Sequence, residues 1–214
     1  MRITALEPQV KNPERINLYV DGRFLLGVAA EVVFQMGLRL DQELEPDQLQ
    51  QLRREETLQR AVDLAFNYLS FRPRSREEVR RYLRRKETPP ELIDTVLARL
   101  ARLNLVNDRD FASFWIETRE QFNPRGAHML RNELRMKGVA RDVADDVVDE
   151  EKDEERALQA GRKKALPLVR VPTMDYATFR KRLGSFLQRR GFSYEISARV
   201  VRILWRELRS EEEE

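Results

Sequence analysis

Eight cations fall within the fifteen residues from Arg72 to Lys86: Arg72, Arg74, Arg76, Arg80, Arg81, Arg84, Arg85 and Lys86, against only Glu77 and Glu78. Guanidinium groups at that density suit phosphate or carboxylate recognition, because each planar fork can engage two oxygens at once. At helical spacing Arg76, Arg80 and Arg84 share one line, Arg81 and Arg85 share another, and Val79 and Leu83 face inward. The competing reading is a solvated face neutralised by neighbouring acids, and this helix has few acids to supply. The cluster is therefore expected to meet an acidic protein or a nucleic acid.

Bond-making chemistry finds no matching pattern. There is no glycine-rich phosphate loop and no serine or cysteine nucleophile with a histidine base. His128 is the sole histidine and cysteine is absent, so no thiolate or paired-histidine metal site exists in the sequence. Asp145, Asp146, Asp149, Glu150 and Glu151 lack the alternating ligands and turn glycine of a calcium loop, and read as a solvated acidic helix end. Trp115 and Trp205 lie in apolar stripes, which favours packing over base stacking. The sequence points to a binding protein without cofactor or metal, not an enzyme.

The elements that would carry the cations are helices in a repeat. Leu83-Arg84-Arg85-Lys86-Glu87-Thr88, Leu134-Arg135-Met136-Lys137-Gly138-Val139 and Leu187-Gln188-Arg189-Arg190-Gly191-Phe192 each end one amphipathic run and precede another. From Lys86 to Lys137 the offset is 51 residues and from Lys137 to Arg190 it is 53, a period that signals stacked supersecondary units. The first copy departs from the others in having Glu87-Thr88 where they have Gly-Val and Gly-Phe. Lys86, Lys137 and Arg190 are expected to act mainly as cations in the last helical turn, and Gly138 and Gly191 as helix stops. Of the three copies, the first is expected to carry the dense arginine face.

Within each unit three helices are expected. Leu58, Ala61, Val62, Ala65, Phe66 and Leu69 make one stripe after a separate polar connecting helix at 46–56. Ser75 and Glu78 have the spacing of a capping box, and Thr88-Pro89-Pro90 ends the second helix. Asp108 is expected to cap the first helix of the second unit, and Pro167 to lie in the connection after the first helix of the third. Ahead of the repeats, Ile16 to Val28 alternates about Asp21-Gly22, a hairpin signal, with Arg2–Leu6 as a further strand and Ala29–Met36 as a short helix stopped by Gly37. The expected fold is mainly α: three tandem three-helix repeats in an elongated array after a small N-terminal β-hairpin/α segment. The segments are 1–45 for the hairpin and short helix, 46–106 for the connecting helix and first repeat, 107–151 for the second, and 152–214 for the third with its acidic tail.

With 36% charged residues and 41% hydrophobic ones the chain reads as helix-rich and strongly solvated. The net charge is +3, but its distribution is uneven, from the arginine cluster to the acidic 142–155 stretch and Glu211–Glu214. No leader follows Met1 and no apolar run approaches the roughly 18 to 20 residues that span a bilayer, so a cytoplasmic, membrane-free location is expected.

The ordered motifs Arg72-Pro73-Arg74-Ser75-Arg76-Glu77-Glu78-Val79-Arg80-Arg81-Tyr82-Leu83-Arg84-Arg85-Lys86, Leu105-Val106-Asn107-Asp108 with Phe111-Ala112, and Gly126 through Val139 resemble the bacterial RecX regulatory family. Val20-Asp21-Gly22-Arg23 and the short helix around Glu31 are similar to the N-terminal segment of its longer members. The resemblance implies a monomeric regulator that lies in the groove of the RecA recombinase filament, with single-stranded DNA in the filament as a second contact, and restrains recombination, DNA repair and the SOS response. Candidate partner-binding residues are the Arg72–Lys86 cations with Arg125, Arg131 and Lys137. The alternative from a different class is an autonomous DNA-binding helical-repeat protein, distinguished by tight, salt-sensitive binding to naked DNA.

Overall fold

The computed structural model describes residues 1–210, so the Glu211–Glu214 run lies outside the described residues. Three antiparallel strands come first, β1 (Ile3–Gln9), β2 (Asn12–Val20) and β3 (Arg23–Ala29), in the order β1-β2-β3. Asp21 and Gly22 both have positive φ, 49° and 77°, which gives the primed turn whose twist matches the strands it joins. The strand expected at Arg2–Leu6 is therefore present, and it continues to Gln9. Ile3, Leu18, Val20 and Val28 face a core shared with Val32 and Val33 of α1 (Ala30–Gln35) and Leu52 of α2 (Pro46–Leu69).

A separate connecting helix does not form. Pro46 opens one continuous helix of 24 residues to Leu69, with a reciprocal capping box between Glu45 and Gln48. Continuity follows from Glu56, a buried acid on that helix: its carboxylate accepts from the Ala29 N–H at 2.7 Å and from Arg15 at 2.5 Å. A buried charge with partners costs far less than one without, so this pair ties the N-terminal sheet to the middle of α2. Phe66, expected in the apolar stripe, is 41% exposed, whereas Ala61, Val62 and Ala65 are buried as the spacing requires.

The remaining helices are α3 (Arg76–Arg85), α4 (Pro90–Arg102), α5 (Asp108–Phe122), α6 (Ala127–Met136), α7 (Arg141–Val147), α8 (Asp153–Val169), α9 (Tyr176–Arg189) and α10 (Tyr194–Ser210). They make three triplets, the first using the second half of α2. Two compact units result: Met1–Arg72 with Val79–Leu105, and Pro73–Glu78 with the chain from Val106 onward. In the second unit, α5, α6 and α7 enclose Phe111, Ile116, Leu130, Leu134 and Val148. The α8, α9 and α10 triplet encloses Phe179, Leu183, Leu187, Val200 and Leu204.

Two local expectations are corrected here. Asn107, not Asp108, caps α5, its side chain accepting from the Arg109 and Asp110 amides. Asp108 instead accepts from the Arg76 N–H at 2.7 Å, so it caps the start of α3. Pro167 does not interrupt α8 but lies inside it, the third residue from its C-terminal end, where it removes the backbone bond to the Lys163 carbonyl and only the last residues of the helix follow.

Candidate partner-binding surface

The helix endings are the key to which cations are available. Glu87, Gly138 and Gly191 all have positive φ, 58°, 83° and 88°, so the same left-handed stop closes α3, α6 and α9. What differs is what lies against them. A Cβ on Gly138 would come within 2.3 Å of the Glu77 Cβ, and one on Gly191 within 2.5 Å of the Met129 Cβ. Glu77 and Met129 lie in the first turn of α3 and of α6, so each stop docks on the start of the corresponding helix one repeat earlier. Glu87 is exposed and tolerates a side chain.

Both joints are closed by hydrogen bonds from the receiving segment. Ser75 Oγ donates to the Lys137 carbonyl at 2.6 Å and accepts from the Glu78 N–H at 3.1 Å. At the equivalent place the Gly126 N–H donates to the Arg190 carbonyl at 2.9 Å, and a Cβ on Gly126 would lie 2.2 Å from the Gly191 oxygen. The leucine-basic-glycine pattern is thus an inter-repeat joint as well as a helix stop.

The cations of the pattern are correspondingly drawn inward. Lys137 Nζ donates to Glu78 at 2.8 Å and lies 4.7 Å from the centre of the Trp115 ring, so it serves a buried carboxylate and an aromatic face, not chiefly the helix end. Arg190 donates to the Pro124 carbonyl at 3.2 Å and covers Phe186. Burial, and then the nearby Arg125 cation, lower its pKa from the usual arginine value. Trp115 itself donates to Glu133 at 2.9 Å, and Trp205 packs on Phe179, so neither indole is an open stacking platform. His128 is exposed and its ring lies within hydrogen-bond distance of Asn132 one turn on.

The candidate residues divide accordingly. Arg125 approaches Glu133, and Arg131 pairs with Asp145 at 2.9 Å and with Glu150, so both are held within the second repeat. Arg80 pairs with Asp94 at 2.5 Å, and none of Arg72, Arg74 and Arg81 is without a partner. Lys86 lies over Tyr82, which stacks face to face on Tyr68 at 4.1 Å. Arg76, Arg84 and Arg85 are exposed. The acids that hold the others come from different helices, which spacing along one helix does not reveal.

A buried ionic group missed at the level of sequence lies where α8 begins. Asp153 accepts from the Ala127 N–H at 2.9 Å and from Arg156 at 3.1 Å, and Arg156 also donates to Glu120 at 2.8 Å and to the Asp149 carbonyl at 2.6 Å. Desolvation outweighs these favourable partners and raises the Asp153 pKa. The only sequence signal was an acid and an arginine three residues apart opening a helix. Among the described residues no group of histidine or acidic side chains is arranged to hold a metal ion, and no helix is long and apolar enough to cross a membrane.

These features define a tandem three-helix-repeat protein whose repeats are joined at their helix stops and whose exposed surface is rich in cations. Family models for the regulatory protein RecX N-terminal domain and for the RecX first, second and third three-helix domains match residues 1–45, 61–100, 107–148 and 151–201 in that order. The regulatory protein RecX of Bacillus pumilus is 29% identical over 213 residues, covering 99% of this chain and 81% of that protein. The same protein of Bacillus subtilis is 29% identical over 194 residues, covering 91% and 74%. A crystal structure of regulatory protein RecX superposes with a TM-score of 0.75 at 26% identity, covering 91% of this chain and 96% of that one. The chain belongs to the RecX family of regulatory proteins.

Proposed function

We propose that this protein is a negative regulator of the RecA recombinase that lies in the groove of the RecA filament and restrains recombination, repair and the SOS response. The observation that carries the reading is the ordered match of all four RecX domains along one chain. The joints support it physically. Glycines bring a repeat's helix stop onto the helix start of the repeat before it, and several weak contacts from successive repeats to a periodic filament would act together. Arg76, Arg84 and Arg85 are the cations of the first cluster proposed to meet the filament.

The test uses the host RecA assembled on single-stranded DNA. Micromolar protein is expected to bind the filament and to slow both strand exchange and ATP hydrolysis. Reversal of Arg76, Arg84 and Arg85 to glutamate is expected to weaken inhibition by about tenfold or more, since like charge across an interface costs several kcal/mol. Absence of binding and of any effect on hydrolysis would sink the reading.

A further inference from the structure

Counted back from Leu187 as from Leu83 and Leu134, Lys181 and Arg182 hold the positions of Glu77 and Glu78 in α3 and of His128 and Met129 in α6. In the first two repeats this place receives the stop of the following repeat. In the third, Lys181 and Arg182 are exposed and nothing among the described residues covers them. They are joined on the surface by Arg180 and Arg189 of α9 and by Lys164 of α8. Among the described residues none of these five cations has an ion-pair or hydrogen-bond partner, in contrast to Arg72, Arg74, Arg80 and Arg81.

The surface they occupy is shaped. Two shallow grooves run on either side of the α9 face and share Lys181 and Ser185, one of about 360 Å³ and the other of about 610 Å³. Neither is lined by an acid. Gly184 leaves the ridge between Lys181 and Gln188 bare, with nothing within 4 Å of where a Cβ would stand. Ser197 of α10 lines the smaller groove, is 1% exposed, and its hydroxyl has no hydrogen-bond partner. Such a group in the interior is costly unless a partner arrives from outside. At the rim stands Tyr194, a residue 74% exposed.

We infer that the α9 face of the third repeat binds a single nucleic-acid strand, its phosphates meeting Lys164, Arg180, Lys181, Arg182 and Arg189 and one base stacking on Tyr194. Unpartnered guanidinium and ammonium groups supply the sequence-independent attraction, and the low ridge at Gly184 lets a sugar-phosphate chain approach the helix. An acidic polypeptide would answer the cations alone. The exposed aromatic ring beside hydroxyl and amide groups selects the ligand that carries both regular charge and flat faces. This site is independent of RecA binding, and its test contains no RecA.

The test is anisotropy of a labelled mixed-sequence DNA oligonucleotide over a range of salt, with the full chain. Replacing Arg180, Lys181 and Arg182 by glutamine is expected to weaken binding by about tenfold and to flatten the slope of log K against log salt by about two, at roughly 0.7 per lost single-strand phosphate contact. Tyr194→Leu is expected to cost about fivefold or more without changing that slope, as loss of one stacked base does. A triple variant that keeps its helical circular dichroism and binds with unchanged affinity and slope overturns the site. Poly-glutamate competing as well as the oligonucleotide per charge overturns the nucleic-acid assignment in favour of an acidic polypeptide. Duplex binding tighter than single strand, with Tyr194→Leu silent, overturns the stacked strand.

Discussion

Helices α3 and α9 hold the same place in their triplets, yet their cations are put to different uses. On α3, Arg80 is paired with Asp94 and Arg81 is engaged, and Lys137 comes from the next repeat to satisfy Glu78 at the helix start. On α9, Arg180, Lys181, Arg182 and Arg189 have no partner among the described residues. A count of basic residues therefore overstates the surface of the first repeat and understates that of the third. The lesson is that a cation's availability is set by acids on other helices, because an ion pair needs only proximity in space.

The same contrast governs stability, and a set of substitutions probes it, from the largest loss downward. Gly191→Val would place branched carbons on Met129 at positive φ, and is expected to cost about 4 kcal/mol or to abolish folding, since both overpacking and backbone strain contribute. Urea unfolding would show it; a loss under about 1 kcal/mol would mean the joint is loose.

Next comes Arg156→Met, expected to cost about 3 to 5 kcal/mol because it strands the Asp153 carboxylate in the interior. Asp153 also sets a pH dependence with an inverted sign. Its folded pKa lies above the unfolded 3.8, so between the two values the folded state holds a proton that the unfolded state has lost. Stability then falls as pH rises through that window and levels off above the folded pKa. Wild-type urea midpoints measured from pH 4 upward should carry this slope, and Asp153→Asn should lack it.

A smaller loss, about 2 kcal/mol, is expected for Lys137→Met, which removes a charge-assisted donor from the mostly buried Glu78 carboxylate. Replacing Arg180, Lys181 and Arg182 by glutamine should leave stability nearly unchanged, within about 0.5 kcal/mol, because those groups serve no partner among the described residues. Equal losses for the two kinds of substitution would erase the contrast between α3 and α9. Opposite in sign is Glu87→Gly, expected to be neutral or stabilising by up to about 1 kcal/mol, since glycine relieves the positive φ but adds freedom to the unfolded chain. A large loss there would show that the first stop docks on something as the other two do.

Much of the fold was legible because local chemistry writes it. Alternation about Asp21-Gly22 marks the hairpin, apolar spacing marks the helices, and the repeated stops mark the units. Legibility failed where the deciding partner was distant. Asn107 and Asp108 are adjacent polar residues, and only packing shows that one caps its own helix while the other caps α3. The 46–69 stretch looks like two helices by composition, but Glu56 is buried against Arg15 and Ala29, which makes its polarity a reason for continuity. The basic residues at 180–182 were as visible as those at 72–86, and only packing shows that Arg72, Arg74, Arg80 and Arg81 are engaged while, among the described residues, Arg180, Lys181 and Arg182 are not.

By itself the sequence determined the helical repeat, its period, the left-handed stops at Gly138 and Gly191, and membership of a family recognised by ordered motifs. Those are properties of neighbours along the chain, where spacing and backbone preference suffice. Tertiary structure alone decided that the glycines are contact points between repeats, that Lys137 is drawn onto a buried acid and Arg131 paired with Asp145, and that α9 keeps its cations exposed. Each of those depends on atoms from residues far apart in sequence coming within a few ångströms, and chain spacing carries no record of that distance.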